Sequence, residues 1–159
     1  MVKISNSAIA IIVLILIILY IMNESIQDGL IDFFYEGDEK IDFLLERVKP
    51  IFEKDNHYTG NLEPLNRRRI LDEIKVYKGK KSYTINKRKV FLCLRDENNE
   101  YYEDNMLLYV FLHELAHVIC DEVGHTKKFH DIFKDLLDVA VDKNIWNPDE
   151  EIIQNYCDY

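Results

Sequence analysis

The run MLLYVFLHELAHVI, residues 106–119, constrains the fold most, because it sets two histidines and a glutamate in an otherwise apolar segment. Apolar residues recur through it at helical spacing, which predicts a helix from about Asp104 with apolar side chains around most of its circumference. Such a helix is buried, and His113, Glu114 and His117 would be costly there without partners. The segment therefore predicts a central helix that carries a polar site.

His113 and His117 are four residues apart, so both imidazoles project from one helix face, one turn apart. Two imidazoles at that separation suit a single metal ion, and zinc is the natural choice. Glu114 follows the first histidine, where in HExxH sites the glutamate acts on the water of the metal and does not bind the metal itself. The pattern therefore predicts a hydrolytic Zn²⁺ site with Glu114 as the general base.

His125 is the expected third zinc ligand. It follows Gly124, a residue suited to ending the helix because glycine adopts the left-handed conformation without steric penalty. The chain can then turn and bring His125 back to the metal, which leaves a fourth position open for water. Other residues near the motif or elsewhere in the chain are rival ligands: His57, His130, Cys120, Asp121 and Glu122.

The remaining pattern predicts one α+β domain that begins near Asp38 and runs to residue 159. Helical spacing predicts a core-facing helix over about residues 41–52, a second helical segment opened by Pro64, and a helix from Lys127 to about Asn144. Short strands are predicted at Val76–Tyr77 and Ser82–Ile85, and Val90–Arg95 has the strongest strand pattern.

The segment Ile4 to Met22 has no charged residue and, as a helix rising ~1.5 Å per residue, would be long enough to cross the roughly 30 Å hydrocarbon layer. A cleaved signal would end in a small-residue site, and a core helix would carry a polar stripe. This segment has neither feature. We therefore expect a transmembrane anchor over residues 1–23, a juxtamembrane stem over 24–37, and a single-pass membrane location with the side of the membrane left open.

Cysteine content gives a second indication of location. Cys93, Cys120 and Cys157 are odd in number and form no CxxC pair, which favours free thiols in a reducing compartment over a disulfide framework.

Charge is distributed unevenly along the chain. The whole sequence has a formal charge of −9, whereas residues 67–89 contain ten Lys or Arg against Asp72 and Glu73. This basic segment is either a solvated helix face and hairpin or a patch for a phosphate backbone or anionic lipid headgroups.

Two stretches, YTINKRKVFLCLR and MLLYVFLHELAHVICDEVGHTKKFHDIFKDLL, resemble the WLM-domain metallopeptidases, relatives of the SprT and Spartan proteases. The resemblance runs from about Tyr83 to Leu137. It implies a compact zincin-like α+β fold, with His113, His117 and His125 as zinc ligands and Glu114 as the general base.

The same resemblance implies a substrate-binding strand at the edge of the sheet beside the cleft. An extended peptide would add to this strand through main-chain hydrogen bonds. The residues concerned are Val90, Phe91, Leu92, Cys93, Leu94 and Arg95.

The sequence thus favours a membrane-anchored zinc metalloendopeptidase acting on a protein or peptide. The alternative is a non-catalytic, membrane-tethered interaction module, in which zinc only stabilises the fold or the basic segment binds nucleic acid or anionic lipid. Glu114 favours the enzyme, because a structural zinc site has no use for a carboxylate beside an open metal position. A fourth protein ligand such as Cys120 or His130 would favour the alternative.

Overall fold

The computed structural model describes residues 11–22, 37–154 and 156–157. The chain divides into two compact units, Met1–Glu36 and Gly37–Tyr159. In the first unit, residues 11–22 form a helix, α1. The second unit contains the HELAH segment.

The first unit corrects the prediction of a membrane anchor. Among the described residues, no helix is both long enough and apolar enough to cross a membrane. The predictions of a transmembrane helix at Ile4 to Met22 and of a single-pass membrane location are therefore wrong. Residues 4–10 of that segment and residues 24–36 of the expected stem lie outside the described residues.

The second unit has an α+β architecture with a small sheet and several helices. Its strands are β1 (Lys75–Lys78), β2 (Tyr83–Ile85) and β3 (Lys89–Leu92). Its α-helices are α2 (Glu39–Val48), α3 (Ile70–Glu73), α4 (Asp104–Ile119) and α5 (Lys127–Asp142), with 3-10 helices at Lys49–Ile51 and Gly60–Asn66. The segment opened by Pro64 is thus a 3-10 helix followed by one α-helical turn.

The strand order is β1-β3-β2, so β3 is the central strand. It runs parallel to β1 and antiparallel to β2, with Val90 opposite both Val76 and Thr84. Asn86 and Lys87 close the β2–β3 hairpin with positive φ angles of 49° and 57°, the conformation of a tight turn whose twist matches the strands.

This order corrects the expectation that Val90–Arg95 forms the edge of the sheet. The backbone of β3 is paired on both sides, and the side chains of Val90, Leu92, Cys93 and Leu94 are buried. The strand at the edge beside the HELAH helix is β2, whose Thr84 side chain contacts Glu114.

Helix α4 lies at the centre of the core. Its residues Phe111, Leu112 and Leu115 have no solvent exposure. The surrounding elements contribute further fully buried apolar side chains: Leu44 and Val48 from α2, Val90 from β3, and Phe129 and Leu136 from α5. Burial of each such side chain stabilises the fold by about 1.5–3 kcal/mol, so α4 is a firmly held platform for its polar residues.

The cysteines also differ from the prediction of free thiols. Cys93, just after β3, forms a disulfide with Cys157, at a Cα–Cα distance of 6.4 Å and a sequence separation of 64 residues. Cys120 is free and buried. The disulfide attaches the C-terminal segment to the end of the central strand.

Candidate metal centre

The side chains of His113, His117 and His125 converge at one point. Nε2 of His125 lies 3.0 Å from Nε2 of His113 and 3.2 Å from Nε2 of His117. All three nitrogens lie within 4.8 Å of one another. Ligands ~2.0–2.1 Å from a tetrahedral zinc ion are separated by roughly 3.3 Å. The three imidazoles therefore fit a single zinc ion.

The loop after α4 brings His125 to the other two histidines. Helix α4 ends at Ile119, and Cys120 is already extended. Gly124 therefore does not end the helix as expected; it lies five residues further on, with φ 82°. A side chain at that φ would be strained, so the glycine permits the reversal that places His125 over the helix. Helix α5 then begins after Thr126, whose hydroxyl accepts a hydrogen bond from the Phe129 N–H.

Phe129 forms an apolar floor beneath all three imidazoles. Its ring centroid lies 4.1 Å from that of His117 in a stacked arrangement, and 4.9 Å from those of His113 and His125. The Phe129 side chain is fully buried. Phe129, four residues after His125, therefore packs against all three histidines.

Burial keeps the two helical histidines in the neutral form. It lowers the pKa of His113 to about 4, with smaller contributions from the charges of His117, His125 and His130. The pKa of His117 is also lowered to about 4, again mainly by burial, then by His125 and Lys87. Neutral imidazole is the form that binds a metal, so both ligands are ready to bind near neutral pH.

Glu114 is the only buried ionisable acid among the described residues, with 4% of its surface exposed. Burial raises its pKa to about 7, although a hydrogen bond from Thr84 opposes this shift. Thr84 Oγ1 lies 2.8 Å from Glu114 Oε2 and donates to it. The carboxylate is therefore fixed in position, and its pKa is near the value that suits a general base at neutral pH.

Lys87, on the β2–β3 turn, holds the end of helix α4 and the loop that follows. Its Nζ donates to the main-chain oxygens of His117 at 3.3 Å, Glu122 at 2.9 Å, and Cys120. A cation at a helix C-terminus also interacts favourably with the helix dipole. Lys87 therefore couples the hairpin to the loop that carries the third histidine.

Replacing Lys87 with methionine is expected to weaken zinc binding by about tenfold, the lower end of the effect of losing a residue that orients metal ligands. Competition with a chelating dye measures the affinity. Lys80→Met, on the neighbouring turn, is the matched control. Equal affinities for the two variants would show that Lys87 does not position the loop.

A cavity of about 650 Å³ opens onto the triad. It is lined by β2 and its turn, by the first turn of the HELAH motif and by residues 122–125. Residues Val90–Arg95 do not line it, because β2 lies between β3 and the cavity. Sequence reasoning missed Thr84 and Lys87. The alternation in Tyr83-Thr84-Ile85 was a usable signal for Thr84, since it places Thr84 on the opposite face from its exposed neighbours.

The rival ligands stay outside the triad. His57 and His130 are exposed, and the His130 ring centroid is 6.2 Å from that of His125. Asp121 is paired with Lys128 at 2.7 Å. Within the part of the chain that the structure describes, no other His, Cys, Asp or Glu joins the cluster, so three residues would hold the ion.

The basic segment is partly neutralised by nearby acids. Arg67 pairs with Glu63 at 2.6 Å, Arg68 with Glu73 at 2.7 Å, and Arg69 with Asp72 at 2.5 Å. Lys87 is directed at main-chain carbonyls. These contacts favour a solvated, locally paired surface over a continuous anion-binding patch.

Comparison with known proteins relates the chain to viral proteins. It is 48% identical over 103 residues to uncharacterized protein 136R of Invertebrate iridescent virus 6, covering 63% of this chain and 58% of that protein. It is 43% identical over 99 residues to uncharacterized protein 042R of Invertebrate iridescent virus 3, covering 62% of each. An uncharacterized protein of Acanthamoeba polyphaga mimivirus is 34% identical over 116 residues, or 69% of this chain and 58% of that protein.

The chain therefore spans 58–62% of the length of these curated relatives. No family model matches the chain, and no solved structure gives a significant match.

Proposed function

We propose that this protein is a zinc-dependent endopeptidase that hydrolyses peptide bonds in protein or peptide substrates. The observation that carries the proposal is the convergence of three imidazole nitrogens, with a buried carboxylate in the same cleft. Three protein ligands with a position left for water are the arrangement of catalytic zinc sites, whereas structural sites use four protein ligands. The resemblance of the HELAH and HxxxF motifs to WLM-domain metallopeptidases points the same way.

His113, His117 and His125 would hold the zinc ion. Bound there, zinc would supply Lewis-acid chemistry, polarising a carbonyl and making a coordinated water more acidic. Glu114 accepts a proton from the attacking water as its oxygen bonds to the carbonyl carbon. Glu114 then gives that proton to the amine nitrogen as the C–N bond breaks, so one water is consumed for each bond cleaved.

The edge strand β2 is the best placed element to bind the substrate backbone. In the described sheet it pairs only with β3, and it borders the cleft through Tyr83 and Thr84. Tyr83 and Ile85 are 44% and 39% exposed, a high exposure for large apolar side chains. An extended peptide would add to β2 through main-chain hydrogen bonds, as peptides do at other exposed sheet edges.

Replacing Thr84 with valine is expected to lower kcat by about tenfold, with little change in zinc affinity. Valine keeps the shape but cannot donate to Glu114 Oε2, so the carboxylate loses its orienting contact. Thr84→Ser retains the hydroxyl and should restore most of the rate. A valine variant as fast as the serine variant in steady-state peptide cleavage would exclude this role.

The test of the proposed function is incubation of the zinc-loaded full-length chain with an unfolded protein. Fragments are identified by mass spectrometry, and Glu114→Gln is assayed in parallel. The proposal expects cleavage by the parent and none by the glutamine variant. If both variants bind one zinc and neither cleaves, the site is structural and the proposal fails.

A further inference from the structure

A second cavity, of about 330 Å³, adjoins the metal cleft. Ser82, His113 and Glu114 line both cavities, so the two spaces meet at the beginning of the HELAH motif. A substrate whose peptide bond lies at Glu114 would therefore have a neighbouring side chain at the mouth of this second cavity.

One wall of the second cavity is a face of helix α4. Met106, Tyr109 and Val110 precede His113 and Glu114 at helical spacing and line the cavity with them. Met106 and Val110 are buried, and Tyr109 is held by Phe133 and Trp146, with ring centroids 5.2 and 5.7 Å away. The part of this wall that Met106, Tyr109 and Val110 form is mainly apolar and is fixed by the core.

The opposite wall is the C-terminal segment, residues 152–154 and 156–157. Ile152, Ile153 and Tyr156 line the cavity, and Ile153 is 45% exposed. The segment is tied down beside the cleft at several points. The Tyr156 hydroxyl donates to the main-chain oxygen of Cys93 and lies 3.1 Å from Ser82 Oγ, and Cys157 is bonded to Cys93.

We propose that this cavity is a substrate side-chain pocket for a large apolar residue adjoining the scissile bond, and that the disulfide-tethered C-terminal segment determines its selectivity. The inference rests on the proposed peptidase function and specifies its substrate class. An apolar cavity of about 150 Å³ accommodates benzene, so 330 Å³ has room for a phenylalanine or leucine side chain. A lone exposed isoleucine needs no explanation, but two isoleucines that line one cavity together with Met106, Tyr109 and Val110 offer an apolar side chain a surface to pack on.

The first test uses peptides identical except for Phe, Leu or Ala at the position beside the scissile bond. The zinc-loaded full-length parent is expected to cleave the Phe and Leu peptides with kcat/KM at least about tenfold above the Ala peptide. Ile152→Ala/Ile153→Ala should reduce that ratio severalfold, because the Phe and Leu peptides lose the apolar wall that the Ala peptide does not reach. Val141→Ala, a half-buried aliphatic residue on α5 that lines neither cavity, is the control.

A parent that cleaves all three peptides equally, or a double variant that keeps the parental ratio, would overturn the pocket assignment while leaving the peptidase function intact. If no peptide is cleaved, the peptidase function fails, and binding decides the pocket separately. The zinc-loaded parent should then bind phenylalanine hydroxamate about tenfold more tightly than glycine hydroxamate, and the double variant should bind the two nearly equally. Equal binding by the parent would overturn the pocket as well.

The tether has its own test. Cys93→Ala/Cys157→Ala removes the covalent link but leaves Ile152 and Ile153 in the chain. Because only the hydrogen bonds of Tyr156 then hold the segment beside Ser82, the Phe-to-Ala ratio should fall toward that of the double isoleucine variant. A ratio equal to that of the parent, in a variant with unchanged zinc content and circular dichroism, would overturn the role of the disulfide.

Discussion

Replacing Glu114 with glutamine is expected to lower kcat for peptide cleavage by about 10²–10⁴-fold, the usual contribution of a general base. Glutamine has nearly the same shape and can still accept the hydrogen bond from Thr84 Oγ1, but it cannot take a proton from water. Zinc affinity should stay close to that of the parent, because the three histidines converge without Glu114. Steady-state cleavage and zinc titration measure the two properties separately.

The matched control is Glu122→Gln, which removes an exposed carboxylate from the rim of the same cleft. We expect its kcat to stay within about threefold of the parent. The Glu122 carboxylate is exposed and stays hydrated, and it does not contact Thr84. Similar rate losses in the two variants would mean that the charge of the cleft matters and that Glu114 has no specific role as a base.

Glu114→Gln should also stabilise the metal-free protein at high pH. Burial raises the Glu114 pKa from 4.5 to about 7, so the folded state binds a proton more tightly than the unfolded chain. The free energy of unfolding therefore falls as pH rises through that window, by up to about 3 kcal/mol. Glu114→Gln lacks this loss, and we expect it to be about 3 kcal/mol more stable than the parent at pH 8, with the difference vanishing below pH 4.5.

Urea unfolding of the two metal-free proteins at pH 8 and pH 4.5 checks this expectation. The comparison cancels the titration of His113 and His117, since both proteins contain them. A parent that is more stable than the variant at pH 8 would show that the ionised carboxylate is well accommodated, which would argue against a perturbed base.

Replacing His125 with alanine is expected to weaken zinc binding by more than about 100-fold. Even residues that only orient metal ligands contribute roughly 10–100-fold, and His125 would contribute a ligand atom. The Nε2 of His125 lies 3.0 and 3.2 Å from the other two ligand nitrogens, so its loss leaves only the helical pair. Peptide cleavage should disappear at zinc concentrations that saturate the parent. Because His125 is exposed, the fold should survive the substitution.

His130→Ala is the control for His125→Ala, because His130 is the neighbouring exposed histidine and lies outside the triad. Chelator competition should give it a parental zinc affinity. If His130→Ala loses zinc and His125→Ala does not, the third ligand has been misassigned.

The convergence of the three histidines could be predicted, because most of its geometry is local. Four-residue spacing on a helix places His113 beside His117 whatever the rest of the fold does. His125 was predicted as the next histidine after a glycine, although Gly124 acts inside the loop and does not end the helix. The local pattern could not predict the contacts of Lys87, because contacts between a hairpin turn and a helix end depend on tertiary packing.

The order of the strands in the sheet could not be predicted from the sequence pattern. The apolar run Val90–Arg95 indicates a buried strand, but a buried strand is equally compatible with several positions in a sheet. Because β1 pairs with the far side of β3, the edge beside the site belongs to β2. The Cys93–Cys157 link likewise joins residues 64 apart, and nothing in their spacing indicated that the C-terminal segment returns to β3.

The most direct measurement is the rate of cleavage of an unfolded protein by the full-length chain as zinc is removed and restored. Chelation should abolish cleavage, and stepwise addition of zinc should restore it in proportion to bound metal, reaching a plateau at one zinc per chain. Cleavage that persists in the metal-free protein, or no cleavage at one zinc per chain, would contradict the assignment of His113, His117, His125 and Glu114 to a hydrolytic zinc site.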